Sequence, residues 1–147
     1  MKIPDLFTET ARDPYSYARR LSSETGRRFI ATFCSYAPEE IITAAGFVPF
    51  RITGSGGAMT LADRHIQSYC CSLVRSGLDD ALAGRLDFIE GTVFPHTCDS
   101  IQRLSDIWRL NCGFAFHLDV VMPVKLNTAS AKSYMTAVLD RFRRDLE

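Results

Sequence analysis

The stretch Arg28-Phe29-Ile30-Ala31-Thr32-Phe33-Cys34-Ser35-Tyr36-Ala37-Pro38-Glu39-Glu40 decides the fold. Its first six residues, Arg28 to Phe33, read as a short strand with Phe29, Ile30, Ala31 and Phe33 apolar, closed by a short turn. Pro38 followed by Glu39 and Glu40 then reads as a helix start: proline fits the first helical position, and acids in the first turn oppose the helix dipole. Gly46 ends that helix, and Phe47 to Ile52 (FVPFRI) is a second strand, set at a sheet edge by Pro49, which has no N–H to give a ladder. Strand, turn, helix and strand in this order are the start of a parallel βαβ series.

The same rhythm continues on both sides. Toward the amino terminus, Asp13-Pro14 opens a helix that runs to about Glu24 and stops at Gly26, so residues 1–27 read as an N-terminal helical segment. Toward the carboxyl terminus, Gly54-Ser55-Gly56-Gly57 is expected to be a flexible connection, and Leu61 to Ser68 a polar helical stretch. A helix from Cys71 or Ser72 to Ala83, with Gly77 weakening it and Gly84 stopping it, leads to a third strand, Phe88 to Phe94. Asp99 to Leu110 places Ile101, Leu104, Ile107 and Trp108 on one helical face. Phe114 to Val121 is the fourth strand, ended by Pro123, and Asn127 or Thr128 caps a last helix reaching Arg144.

Short strands alternating with helices require right-handed crossovers and helices on both sheet faces. The expected fold is α/β: a three-layer α/β/α sandwich, Rossmann- or flavodoxin-like, with about four parallel strands in the order 2-1-3-4. Its winding switches direction between strands 1 and 3. Residues 28–126 form the α/β unit, and residues 127–147 a helix without a stop signal, read as a linker interrupted before a second domain.

Composition bounds the function. The 17 basic residues offset 17 acidic ones, which argues against nucleic acid, whose binding rests on neutralised phosphates. No run approaches the roughly 18 apolar residues of a membrane span, and Met1-Lys2-Ile3-Pro4-Asp5 does not read as a signal peptide. The expected location is cytoplasmic, where thiols stay reduced, so the five cysteines call for a reason other than disulfides.

Topology sorts those cysteines. Cys34 follows strand 1, Cys71 opens the helix after strand 2, and Cys98 lies between strand 3 and the Asp99 helix. All three belong to the carboxyl edge of the sheet, where open α/β folds collect ligands, whereas Cys112 precedes strand 4 on the opposite edge. Helix amino termini favour thiolates, and three thiolates at one rim suit a soft metal or an iron–sulfur cluster with one coordination position left open. Small buried hydrophobes remain the alternative reading of the same cysteines.

The motifs carry a resemblance. Cys34-Ser35-Tyr36-Ala37-Pro38-Glu39-Glu40, followed by Ala44-Ala45-Gly46 and Pro49, resembles the first cysteine motif of the 2-hydroxyacyl-CoA dehydratase and benzoyl-CoA reductase family. Cys71-Ser72-Leu73-Val74-Arg75-Ser76 is similar to the second motif, and Thr97-Cys98-Asp99 with Asp106-Ile107-Trp108 to the third. The resemblance implies a subunit of a two-subunit enzyme for radical dehydration or reduction of an acyl-CoA or aryl-CoA thioester. It implies a [4Fe-4S] cluster held by Cys34, Cys71 and Cys98, a homologous second subunit, and an ATP-hydrolysing iron–sulfur activator that delivers the electron. Subunits of the family are longer and carry a second α/β domain, so this chain alone is not expected to turn over substrate. A non-catalytic metal- or cluster-binding scaffold and a flavodoxin-like interaction domain are the competing readings.

Other residues are secondary candidates, and no catalytic residue is assigned. Cys70 adjoins Cys71, but the motif register favours Cys71. Arg75 reads first as a surface ion-pair residue and second as a donor to cluster sulfides or a CoA phosphate. His96 beside Cys98 suggests a Cys/His pair, without an evident orienting group. Ser35 and Tyr36 serve as turn or pocket residues.

Overall fold

The computed structural model describes residues 3–147, with side chains from Asp5 onward. Two helices come first, α1 (Ile3–Arg12) and α2 (Pro14–Thr25), followed by β1 (Phe29–Thr32), α3 (Glu39–Ala44) and β2 (Val48–Arg51). After them come α4 (Ser72–Leu82), β3 (Ile89–Pro95), α5 (Asp99–Asn111), β4 (Phe116–Val120) and α6 (Ala129–Leu146). The four strands form one parallel sheet in the order β2-β1-β3-β4, the expected topology.

Two apolar layers sandwich the sheet. On one face, Tyr15 and Ala18 of α2, Val74 and Leu78 of α4, and Ile101, Leu104 and Trp108 of α5 pack with Phe29, Ala31 and Phe94. On the other, Ile42 of α3 and Phe142 of α6 cover Ile30, Val93 and Val120. β1 alternates between the layers, as period-2 geometry demands, and all four of its residues are buried. A bulge at Glu90 breaks the same alternation in β3: Phe29 pairs with Ile89, but Ile30 pairs with Gly91. Ile89 and Val93 therefore reach opposite layers. Glu90 turns outward to a bidentate pair with Arg28, whose guanidinium lies 4.5 Å from the centre of the Phe47 ring.

Several boundaries differ from expectation. The N-terminal segment is two helices, because Asp13 caps α2 by accepting the Ser16 N–H at 3.0 Å. The Leu61 to Ser68 stretch is not a helix; it holds only a 3₁₀ turn at Ala62–Arg64. Ala62, Ile66 and Cys70 enter the core, but this single row, flanked by exposed residues, is too narrow a stripe to bury a helix face. Conversely, Gly77 does not interrupt α4. A β-carbon there would stand 2.9 Å from Phe33 Cε1 and 3.0 Å from Ile52 Cγ2, so glycine lets the helix approach the sheet. Pro38 is the N-cap of α3 rather than its first residue, and Thr128 caps α6 by accepting the Ala131 N–H at 3.2 Å.

Candidate functional site: the cysteine-bearing rim

The carboxyl edge of the sheet carries three cysteines on three separate turns. Cys34 lies two residues beyond β1, Cys71 is the N-cap of α4, and Cys98 is the N-cap of α5. Parallel strands all end on this edge, and the helices between them start there, so topology alone brings the three turns together.

Local chemistry is unusual at each position. Cys34 has φ 54° and Tyr36 φ 73°, the left-handed region, which costs a non-glycine residue of order 1–3 kcal/mol and collects at functional turns. Cys71 and Cys98 occupy N-cap positions where Ser, Thr, Asp or Asn would accept a helix N–H, and neither side chain makes a capping hydrogen bond. Helix stability is thus not what selects cysteine there. Both thiols are exposed, whereas Cys34 is half-buried against the core.

The three thiols interact electrostatically. Burial pushes the Cys34 thiol up, negative charge at Cys98 and Cys71 pushes it further, and Arg51 at the end of β2 pulls it down. Among the described residues, no group of three His, Cys, Asp or Glu side chains is gathered tightly enough to ring a single metal ion. The thiolates of a cluster bind different irons and stand farther apart than the ligands of one ion. The donor set, three thiols at one rim with two at helix amino termini, fits a cluster chemically.

The remaining two cysteines differ. Cys70 is buried in the core beside Ile66, and Cys112 caps the carboxyl end of α5 on the opposite edge. Burial pushes the Cys112 thiol up to about 11.

Two adjacent acids of α4, Asp79 and Asp80, hold the loop leading to Cys71. The Asp80 carboxylate accepts the Tyr15 hydroxyl at 2.8 Å, the Ser55 N–H at 2.8 Å, the Ser55 hydroxyl at 2.6 Å and Arg85 Nε at 2.6 Å. Asp79 accepts the N–H groups of Leu61 at 2.8 Å and Ala62 at 3.1 Å, and Arg85 Nη2 at 2.9 Å. The Gly54 to Gly57 connection is therefore anchored at Ser55, contrary to the expectation of a flexible link. The only hint in the sequence was an Asp-Asp pair between Leu78 and Leu82, where a helix buries its face.

Arg75 pairs with Asp63 through Nε at 3.2 Å, the surface role expected first. His96 directs Nε2 to Asp119 Oδ1 at 2.8 Å, so its side chain pairs with a carboxylate of β4 rather than with the neighbouring thiol.

These features define a class: a parallel α/β domain with a thiol-rich rim at its carboxyl edge. The family model described as 2-hydroxyglutaryl-CoA dehydratase, D-component, matches residues 34–147, and the chain belongs to that family. It is 35% identical over 127 residues to one of the subunits of the benzoyl-CoA reductase of Thauera aromatica, covering 85% of this chain and 33% of the relative. The (R)-phenyllactyl-CoA dehydratase beta subunit of Clostridium sporogenes is 25% identical over 129 residues, covering 88% of this chain and 34% of that subunit. The beta subunit of the (R)-2-hydroxyglutaryl-CoA dehydratase of Acidaminococcus fermentans is 26% identical over 105 residues, covering 71% of this chain and 27% of that subunit. The chain thus spans about a third of the length of these curated relatives. No helix among the described residues is long and apolar enough to cross a membrane.

Proposed function

We propose that this chain is the cluster-bearing α/β portion of a subunit of a 2-hydroxyacyl-CoA dehydratase or benzoyl-CoA reductase, in which Cys34, Cys71 and Cys98 hold a [4Fe-4S] cluster. The supporting observation is the placement of these three cysteines on turns of one sheet edge, with Cys98 and Cys71 both acting electrostatically on Cys34. Membership of the family supports the enzyme class.

When bound, the cluster supplies low-potential electron chemistry toward a CoA thioester. The chain's own residues do the rest. Cys71 and Cys98 sit at the amino ends of α4 and α5, where the helix dipole is positive, and Arg51 offsets negative charge near Cys34. The Asp79–Asp80–Arg85 network fixes the loop that presents Cys71. Residues 28–126 carry the site, and residues 127–147 connect it to a further α/β domain. A homologous second subunit, an ATP-hydrolysing iron–sulfur activator and an acyl-CoA or aryl-CoA substrate complete the system, in the cytoplasm.

Anaerobic reconstitution with iron and sulfide tests this directly. Wild type should turn brown and give a cluster EPR signal after reduction. Serine at Cys34, Cys71 or Cys98 should abolish or strongly diminish both, and Cys112→Ser should keep them. A chromophore that survives Cys98→Ser but not Cys112→Ser overturns the assignment.

A further inference from the structure

Behind the Cys98 turn lies a hydrogen-bonded chain drawn from three elements. Asp119 and His117 come from β4, Ser105 from α5, and His96 from the segment joining β3 to α5. Ser105, 2% exposed, sets its hydroxyl 2.6 Å from Asp119 Oδ1 and 2.8 Å from His117 Nε2. Asp119 is held ionised: burial alone would raise its carboxyl, but the neighbouring His117 ring and hydrogen bonds from Ser105 and His96 pull it well below the usual range. A carboxylate only accepts, so the Ser105 hydroxyl donates to Asp119 and accepts from the His117 Nε2–H. Stacking on Phe94, with ring centres 4.8 Å apart, fixes the His117 ring.

His96 is the outer end of this chain. Its Nε2 donates to the same Asp119 oxygen at 2.8 Å, and its backbone N–H donates to the Val120 carbonyl at 2.9 Å, extending the β3–β4 ladder by one rung. Two bonds, one from the side chain and one from the backbone, therefore clamp the residue two positions before Cys98. Past it, Thr97 N–H closes onto Pro95 O at 2.8 Å, and Gln102 N–H onto Cys98 O at 3.1 Å, which begins α5. A surface His–Asp pair would contribute little, but this one ends on a buried serine and a stacked ring that leave Asp119 no freedom to follow solvent.

We infer that the Ser105–Asp119–His96 chain is the positioning device of the Cys98 turn, and that His96 is a positioning residue acting through that turn. The inference rests on the cluster reading of Cys98. It requires the Nε2–H, which the carboxylate acceptor Asp119 selects because a carboxylate only accepts.

The test uses His96→Ala, His96→Gln, whose side-chain amide keeps a donor near the Nε2 position, and Asp119→Leu. Hydrogen exchange of the His96, Thr97 and Gln102 amides, which carry the hydrogen bonds of the turn, is followed in metal-free protein, and iron release to a chelator in reconstituted protein. His96→Ala and Asp119→Leu should speed exchange of those amides roughly tenfold and iron release about tenfold or more, as expected when an outer partner of a ligand is lost. His96→Gln should stay within about twofold of wild type on both. Unchanged exchange in His96→Ala overturns the inference, as does faster exchange with iron release at the wild-type rate. If wild type takes up no cluster, the cluster reading fails by itself, and the exchange measurement still decides whether His96 holds the turn. His96 is on the surface of the fold, so its variants stay informative if Asp119→Leu does not fold.

Discussion

The Tyr15 hydroxyl donates to Asp80 Oδ2 at 2.8 Å, across 65 positions of sequence. The bond ties the helix that precedes the sheet to the helix that presents Cys71, and it makes a wholly buried carboxylate the hub of the rim's support. Tyr15 shares this role with Ser55 and Arg85, so the hub joins α2, the β2–α4 loop and the end of α4.

Removing that hub should be costly. Asp80→Ala leaves the Tyr15 hydroxyl, the Ser55 N–H and part of the Arg85 guanidinium without their acceptor. Because Arg85 is 40% exposed and can turn to water, the loss should be about 2–4 kcal/mol rather than that of a sealed ion pair. Urea unfolding measures it. A change under about 0.5 kcal/mol would mean that the network is ornamental.

Gly77→Ala sets two effects against each other. Alanine favours a helix interior by about 1 kcal/mol over glycine, but its β-carbon would press on Phe33 and Ile52, and such overpacking costs about 1–3 kcal/mol. Both neighbours are fully buried, so the net should be destabilising by up to about 2 kcal/mol, with a lower thermal midpoint. A gain in stability would show that α4 does not need its close approach to the sheet.

Acid should weaken the fold through Asp79. Burial raises its carboxyl, but the N–H groups of Ala62 and Leu61 and the Arg85 guanidinium outweigh burial and hold it below its ordinary value. A depressed folded-state value contributes stability that is complete above the unfolded value, about 3.9, and is lost as pH falls through the folded one. Unfolding free energy should therefore drop from about pH 5 toward pH 2, and Asp79→Asn should make that drop shallower without removing it, because Asp119 is also held low. An equally steep acid limb in the variant would assign it to other carboxylates.

Thiol reactivity should separate the cysteines by position. With its thiol pushed up to about 11, Cys112 carries roughly a hundredfold less thiolate at pH 8 than an ordinary cysteine. Iodoacetamide on metal-free protein, read by peptide mass spectrometry, should label exposed Cys71 and Cys98 well before Cys112 and core-buried Cys70. Early labelling of Cys112 would contradict its placement.

Some of this architecture is carried by local pattern. The apolar run Phe29 to Phe33, the Pro38-Glu39-Glu40 helix start and the spacing of Ile101, Leu104 and Trp108 each state which side of an element is buried. From those, strand order and the shared edge of Cys34, Cys71 and Cys98 follow by topology. The segment Leu61 to Ser68 misled because polar composition does not distinguish a surface helix from a loop pinned at a few points. Gly77 misled for the opposite reason: its lack of a side chain is a packing fit to Phe33 and Ile52, and not a break.

The sequence by itself determined the alternation of strands and helices, the parallel sheet, and the rim to which each cysteine belongs, because these depend on periodicity and on which end of a strand a residue follows. Tertiary structure alone decided that Asp79 and Asp80 are buried anchors, that His96 answers to Asp119, and that Cys34 feels Cys71 and Cys98. Those are pairings between residues distant along the chain, and a hydrogen bond or a Coulomb interaction depends on separation in space, which no local pattern encodes.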